Sequence, residues 1–165
     1  MITSRYSFMV LLACALGAIP ASATTSVTFI KPTEFTDIGF YNQESSTAIN
    51  VLEQHFKTLS ERYLAPNQNL KVEVLDVDLA GRIDYASRRF HDKRVLRGTA
   101  DWPRMKFHYV LETDGKVVTD SEADISDMLY LNRISTRYAN VTYPHEMHML
   151  EDWFKATFSG SKAAR

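Results

Sequence analysis

Two stretches of the chain carry apolar residues at the spacing of an amphipathic helix. From about Ser46 to Leu64, apolar residues recur every three or four positions and charged residues fall between them. The same spacing recurs over Tyr143–Phe158, and weaker signals predict one or two helical turns over Asp124–Arg133. We therefore expect two main helices, the first ended by Pro66.

The remaining ordered stretches alternate with a period of two and are rich in β-branched residues, which predicts strands. The longest such run is Leu70–Arg82, and a shorter one covers Val27–Lys31. Arg104–Glu112 and Lys116–Glu122 flank Asp114-Gly115, a pair typical of tight hairpin turns. The sequence thus predicts an antiparallel hairpin near the middle of the chain.

This order of elements predicts a small single α+β domain. We expect a mixed or antiparallel sheet of about four strands, with the two main helices packed on one face. Nothing in the chain suggests a repeat or a linker, so residues 24–158 are predicted to form one domain. The small polar residues 159–165 are predicted to form a disordered tail.

The apolar alternation of Leu70–Arg82 is out of step along its length. One apolar set stops at Val74 and the next begins at Leu75, although successive strand residues point to opposite faces. A β-bulge, or a strand covered on both faces near its middle, explains this shift. Either arrangement places Asp76 and Asp78 together on one face.

Residues 1–23 have the features of a secretory signal peptide. Arg5 precedes an apolar run of about twelve residues, which ends at Pro20 before the small-residue site Ala21-Ser22-Ala23. A transmembrane helix needs about 20 apolar residues, so this run is too short, and no transmembrane segment is predicted. An alternative is lipoprotein processing at Cys14, but cleavage after Ala23 accounts for more of the residues.

Removal of the 23-residue leader from the 165-residue chain leaves 142 residues without cysteine. Disulfides, thiolate metal sites and cysteine nucleophiles are thereby excluded from the mature protein. Its charge is close to balanced, with 18 basic and 20 acidic residues once Arg5 is lost. This balance gives no support for a nucleic-acid partner, and no cofactor is predicted.

Asp78-Leu79-Ala80-Gly81-Arg82 and Asp101-Trp102-Pro103-Arg104 are the most specific of several segments, spread over roughly Val27 to Phe158, that point to one family. These segments resemble a bacterial family known only as domain of unknown function 3016. The resemblance implies a small exported bacterial protein and assigns no catalytic residue. The candidate ligand-binding residues lie in and beside these two segments: Asp76, Asp78, Arg82, Trp102 and Arg104.

Two groups of residues have the chemistry of a metal site. Asp76 and Asp78, two apart on a strand, offer carboxylates to Ca²⁺ or Mg²⁺, or an acid and a base; alternatively they are solvated or pair with nearby cations. His145 and His148 are spaced i, i+3 on the last helix, where they could bind Zn²⁺ with Asp152. The zincin motif instead needs i, i+4.

Charge is unevenly distributed along the mature chain. Arg82–Arg97 is strongly basic and is predicted to be exposed, whereas Glu112–Asp127 is acidic. The two runs either form a docking surface or neutralise one another within the fold.

We therefore predict a periplasmic or secreted, non-enzymatic binding module whose partner is an envelope protein or an anionic envelope component. The alternative is a metal-binding protein or metal-dependent enzyme using Asp76 and Asp78.

Overall fold

The computed structural model describes residues 23–39, 42–83, 94–98, 100–132, 137–138 and 140–160. The predicted signal peptide with Cys14, residues 84–93 of the basic run and residues 161–165 of the predicted tail lie outside this part of the chain. The main elements are β1 (Thr24–Phe29), α1 (Asn42–Tyr63), β2 (Gln68–Asp78), β3 (Arg82–Ile83), β4 (Arg94–Val95), β5 (Arg104–Thr113), β6 (Lys116–Ser126) and α2 (Pro144–Phe158). Short 3₁₀ turns cover Pro32–Glu34 and Tyr130–Asn132.

Four strands form the main sheet in the order β1-β2-β5-β6. β1 runs parallel to β2, and the other neighbours are antiparallel. Parallel neighbours need a crossover connection, which α1 supplies. The predicted hairpin is β5–β6, turned at Asp114 and Gly115, both of which have positive φ. The prediction of a small α+β domain with a mixed four-stranded sheet is confirmed.

β2 contains a β-bulge, one of the two arrangements that its sequence pattern indicated. Val74 is paired with Phe107 of β5, whereas Asp76 is paired with the next residue, Lys106, so Leu75 is the extra residue. The bulge rephases the strand, and Val77 returns to the face that Val74 occupies. The hydrophobic core therefore stays on one side of the sheet throughout β2.

Both helices cover this core face. The predicted apolar stripe of α1 is buried, as are Leu150, Phe154 and Phe158 of α2. Ring contacts join the layers, since Phe107 of β5 packs edge-on against Phe56 of α1 at 5.6 Å and against Trp153 of α2 at 4.8 Å. Each such buried side chain contributes roughly 1.5–3 kcal/mol to folding.

Some element boundaries differ from those predicted. β1 starts at Thr24 rather than Val27, and α1 starts four residues before Ser46. The sequence between Asp124 and Arg133 forms the end of β6 and a 3₁₀ turn, because β6 pairs with β5 as far as Ser126. On α2, Met149 is buried, whereas Met147 is half-buried.

No described helix packs on the opposite, outer face of the sheet, which is charged. Carboxylates outnumber lysines and arginines on this face. The residues that the strand register places there include Lys71, Glu73, Asp76, Asp78, Arg104, Lys106, His108, Glu112, Asp120, Glu122 and Asp124. The cations of β5 lie between carboxylates of β2 and β6, so ion pairs cross the sheet. Arg104 contacts Asp78 at 2.5 Å, and Lys106 contacts Glu122 at 3.4 Å.

Candidate functional site

The candidate site lies where β2 ends. Asp37, in the loop after β1, continues the sheet there: its N–H donates to the carbonyl of Val77, and its own carbonyl accepts from the N–H of Leu79, both at 2.9 Å. Gly81 then turns the chain with φ 78°, and an added Cβ would lie 2.8 Å from the carbonyl oxygen of Val95. Only glycine fits this turn without strain.

Arg94 joins this end of β2 to the start of α1. Its guanidinium donates two hydrogen bonds to the Asp37 carboxylate, at 2.7 and 2.9 Å, and one to Glu44 of α1 at 2.9 Å. A further bond reaches the carbonyl of Gly81 at 3.0 Å. We call Arg94, Asp37 and Glu44 the Arg94 cluster. It ties together β4, the loop after β1, and α1 through charge-assisted bonds.

Burial by itself would lower the pKa of Arg94, but the bonds and charges of Asp37 and Glu44 outweigh burial and raise it. Beside this cluster, Glu146 in the first turn of α2 is almost fully buried and accepts the N–H of Ala80 at 2.7 Å. Burial raises the pKa of Glu146. The end of β2 is thus fixed from both helices by polar contacts.

A groove of about 750 Å³ opens beside the Arg94 cluster. One part of its lining is apolar and another carries hydroxyl and amide groups, a combination typical of binding sites. The lining residues are Pro32, Thr33, Phe35, Thr36, Asp37, Ile38, Gly39, Asn42, Ser45, Ser46, Ile49, Asp78, Arg82 and Ile83.

The carboxylates that line the groove are bonded to arginines, Asp37 to Arg94 and Asp78 to Arg104. The Arg82 side chain, by contrast, is exposed and makes no hydrogen bond or ion pair within the described ranges. A guanidinium in that position offers a planar, bidentate donor to a ligand.

The five residues predicted to bind a ligand cluster around this groove. Asp78 and Arg82 line it. Arg104 holds Asp78, and its guanidinium lies 5.6 Å from the ring centre of Trp102. Asp76 accepts two hydrogen bonds from Thr36, a lining residue, at 2.7 and 2.8 Å. Of the five, only Arg82 has a charged side chain that lacks a hydrogen bond or ion pair to another described residue.

The predicted metal ligands are not gathered into one group. Nowhere in the described part of the chain do three His, Cys, Asp or Glu side chains come together as a metal site. Asp76 and Asp78 have the partners given above. His145 packs edge-on against Tyr130 at 4.8 Å, and His148 packs against Tyr138 at 4.6 Å, so both are half-buried. Zinc binding by the two histidines remains a prediction.

His108 lies on the same outer face as the two aspartates, yet it is engaged elsewhere. Its Nε2 lies 2.7 Å from Asp120, and its Nδ1 lies 3.9 Å from Glu73. The register places His108 opposite Glu73, and the bulge at Leu75 lies between Glu73 and Asp76 along β2. Asp76, Asp78 and His108 share a face without converging in one pocket.

The basic run was predicted to be exposed, and for Arg94 this is wrong. Its side chain is only 14% exposed because Asp37 and Glu44 enclose it. Within the described residues, the acidic β5–β6 hairpin pairs with cations of the sheet, such as Lys71 and Lys106, rather than with the basic run.

A second cluster, which the sequence did not predict, centres on Glu151 of α2. One carboxylate oxygen accepts hydrogen bonds from Arg62, at 2.7 Å, and from Arg137. The other accepts from Tyr138 at 2.7 Å. Burial alone would raise the pKa of Glu151, but Tyr138, Arg137 and Arg62 outweigh burial and lower it. In turn, burial and the bond to Glu151 raise the pKa of Tyr138 to about 12.

Sequence reasoning also missed the Arg94 cluster, although two signals were present. Asp37 is followed two residues later by Gly39, a pattern typical of a turn in which the aspartate accepts a nearby N–H, here at 3.0 Å. Glu44 lies in the first turn of α1, where a carboxylate is favoured. Neither signal identifies Arg94, which lies 57 residues beyond Asp37 in the chain.

Comparison with known families identifies the chain at the level of its family. The profile of the family described as "Protein of unknown function (DUF3016)" matches residues 23–156. This match covers well over half of the chain, so the protein belongs to that family. No curated protein and no solved structure matches it. In the described ranges, no helix is long and apolar enough to cross a membrane.

Proposed function

We propose that this protein is an exported, non-enzymatic binding module of the bacterial cell envelope. Its site is the groove at the end of β2, and its ligand is an anionic envelope component such as a phosphorylated glycolipid. The observation that carries the proposal is the exposed guanidinium of Arg82, which bonds to no other described residue, in a groove whose aspartates are already bonded to arginines. A phosphate accepts the paired N–H groups of arginine in a bidentate fashion.

The charges around the groove define how such a ligand binds. Arg94 is shared by Asp37 and Glu44, so the cluster behind the groove carries no excess of positive charge. Long-range attraction of an anion is therefore weak. We expect affinity to come from direct contact with Arg82 and from the apolar side of the groove, where Phe35 and Ile49 lie.

The test is calorimetric titration of the mature protein with lipid A micelles, compared with micelles of the dephosphorylated lipid. We expect Arg82→Gln to weaken binding by about tenfold or more, because a charge-assisted bond is worth roughly 1.5–3 kcal/mol. Arg82→Lys keeps the positive charge but loses the bidentate geometry of the guanidinium, so its affinity should lie between those of the unchanged protein and Arg82→Gln. Lys155→Gln removes an equal charge from exposed helix surface and should leave binding unchanged. Equal binding by Arg82→Gln, or by dephosphorylated lipid, would contradict the proposal.

Export is tested separately, by intact mass of the product made in a bacterial host. Cleavage after Ala23 gives a chain that begins at Thr24 and contains no cysteine. Lipid attachment at Cys14 would instead leave a heavier chain that begins at the modified cysteine. An uncleaved product that begins at Met1 would contradict the assignment to the envelope.

The contacts of Asp76 and Asp78 argue against the alternative in which these two carboxylates bind a metal ion. Asp76 is held by Thr36, and Asp78 forms an ion pair with Arg104, so metal binding at the two carboxylates would have to displace these partners. A rise in melting temperature with Ca²⁺ that Asp76→Asn abolishes would restore that alternative.

A further inference from the structure

β6 is a long edge strand with an open side. It spans Lys116–Ser126, and among the described strands it pairs only with β5. Its residues are exposed except for three half-buried ones, Thr119, Ala123 and Ile125. In the part of the chain that the structure describes, no backbone hydrogen bond from outside the sheet reaches it. The outward N–H and C=O groups of such a strand can pair with another extended chain.

Most of the structural features that protect edge strands are absent from the regular part of β6. Proline does not occur between Lys116 and Ser126, and the strand is not short. Its one register shift lies opposite Leu111 and Glu112, at the hairpin end. From Thr119 to Ser126 the pairing with β5 is regular, so this length remains available to a neighbouring strand.

Charge selects the kind of strand that can pair there. On the outer face, Asp120, Glu122 and Asp124 alternate along β6. His108 contacts Asp120 at 2.7 Å, and Lys106 contacts Glu122 at 3.4 Å, both from the β5 side. A two-fold pairing of β6 with a second copy of this chain would set these carboxylates opposite one another, which destabilises a pair of strands. A strand with lysine or arginine at alternate positions meets the opposite charge instead.

We propose that β6 binds an extended cationic segment of another protein by strand addition. Main-chain bonds to β6 supply the pairing, and alternate basic side chains lie over Asp120, Glu122 and Asp124. The intervening side chains face the helix side of the sheet, next to Ala123 and Ile125, which pack against the core. This surface is separate from the groove and does not depend on the function proposed for it.

The competing explanation is that the three carboxylates serve only to keep the edge unpaired. The probe that separates the two is a capped eight-residue peptide of alternating lysine and valine, titrated into the mature protein. Two control peptides are needed: one of the same composition with its lysines contiguous, and one with alternate amides N-methylated. N-methylation removes main-chain donors and keeps the charge.

We expect the alternating peptide to bind at least about tenfold more tightly than either control, because the controls lose the charge register or the main-chain bonds. Backbone amides in Thr119–Ser126 should become protected from hydrogen exchange when the peptide binds. The variant Asp120→Asn/Glu122→Gln/Asp124→Asn should weaken binding by roughly fivefold to tenfold, as expected for the loss of exposed ion pairs. Lys116→Gln, at the hairpin end of the same strand, is the matched control.

Three results would overturn the proposal. Absence of binding would mean that the carboxylates only protect the edge. Equal binding of the N-methylated peptide would mean attraction by charge without strand pairing. Self-association of the protein through β6, seen by sedimentation and abolished by changes in this strand, would assign the edge to a second copy. The N-methylated peptide is tested on the unchanged protein, so this arm does not depend on the folding of a variant.

Discussion

The Arg94 cluster and the Glu151 cluster have opposite compositions. In the first, one guanidinium is shared by two carboxylates, those of Asp37 and Glu44. In the second, one carboxylate is shared by the guanidiniums of Arg62 and Arg137, with tyrosine hydroxyls at 2.7 and 3.3 Å. Both central side chains are largely buried, at 14% and 11% exposure.

The partners of the two central groups differ in their access to water. Arg62 and Arg137 have 43% and 58% of their side chains exposed, whereas Asp37 and Glu44 have 29% and 23%. A long arginine side chain can turn its charged end into solvent when its partner is lost, but a short aspartate fixed to the backbone cannot. The same kind of deletion should therefore destabilise the fold more at Arg94 than at Glu151.

The largest effect is expected for Arg94→Met. The change removes the charge of Arg94 from between the partly buried carboxylates of Asp37 and Glu44, and we expect it to lower the free energy of unfolding by about 3 kcal/mol. Urea denaturation at pH 7 measures this loss. A loss smaller than that caused by Glu151→Gln, under the same conditions, would break the comparison.

A smaller loss, about 1–2 kcal/mol, is expected for Glu151→Gln. The amide keeps the shape and can still accept the hydroxyl of Tyr138, while Arg62 and Arg137 become solvated. Denaturation at pH 7 is again the measurement, with Glu61→Gln, an exposed glutamate of α1, as the control. If Glu151→Gln proved neutral, the two arginines would contribute nothing measurable to the stability of the fold.

The two regions should also respond to pH with opposite sign. The pKa of Glu151 is lowered in the folded state, so its contribution is present above about pH 4.5 and is lost as pH falls through the folded pKa. The pKa of Glu146, beside the Arg94 cluster, is raised by burial. Its favourable contribution is fully present below about pH 4.5 and is lost as pH rises through the folded pKa.

Unfolding measured from pH 3 to pH 8 separates these contributions. Glu151→Gln should reduce the decrease in the free energy of unfolding that occurs as the pH falls below about 4.5. Glu146→Gln, which keeps the acceptor for the N–H of Ala80, should gain stability relative to the unchanged protein as pH rises above 4.5. A parallel pH profile for the unchanged protein and both variants would show that neither carboxyl is perturbed in the folded state.

The smallest effect is expected at the outer face of the sheet. Lys106 and Glu122 are 48% and 60% exposed and lie 3.4 Å apart. Lys106→Gln should change the free energy of unfolding by less than about 0.5 kcal/mol, because water screens such pairs. A loss comparable to that of Glu151→Gln would mean that the charged outer face acts as a cooperative network, and it would contradict the contrast between the outer face and the two clusters.

The elements were more predictable than the site. Apolar spacing located both helices and the β5–β6 hairpin, since these depend on residues within a few positions of each other. The pattern break at Val74 and Leu75 predicted a bulge as one of two alternatives, and the pairing with Phe107 and Lys106 of β5 decided between them. The structure places the five candidate ligand residues around one groove, which the sequence did not predict.

The clusters could not be predicted because their members are far apart in the chain. Asp37 and Arg94 are 57 residues apart, and Arg62 and Glu151 are 89 apart. The sequence alone does not indicate which basic residue of Arg82–Arg97 forms an ion pair with Asp37. Arg94 contacts Asp37 because β4 pairs with β3, which begins directly after the turn at Gly81.

By itself, the sequence determined the α+β class, the two amphipathic helices, the hairpin and the family. All of these follow from local periodicity, turn residues and short motifs, which act over a few residues. Only the tertiary structure decided which charges meet, which arginine is enclosed and which remains open to the groove. Ion pairs and grooves depend on how distant segments pack, and the order of strands β1-β2-β5-β6 sets that packing. The exposed position of Arg82 beside the groove and the position of β6 at the edge of the sheet are results of that packing.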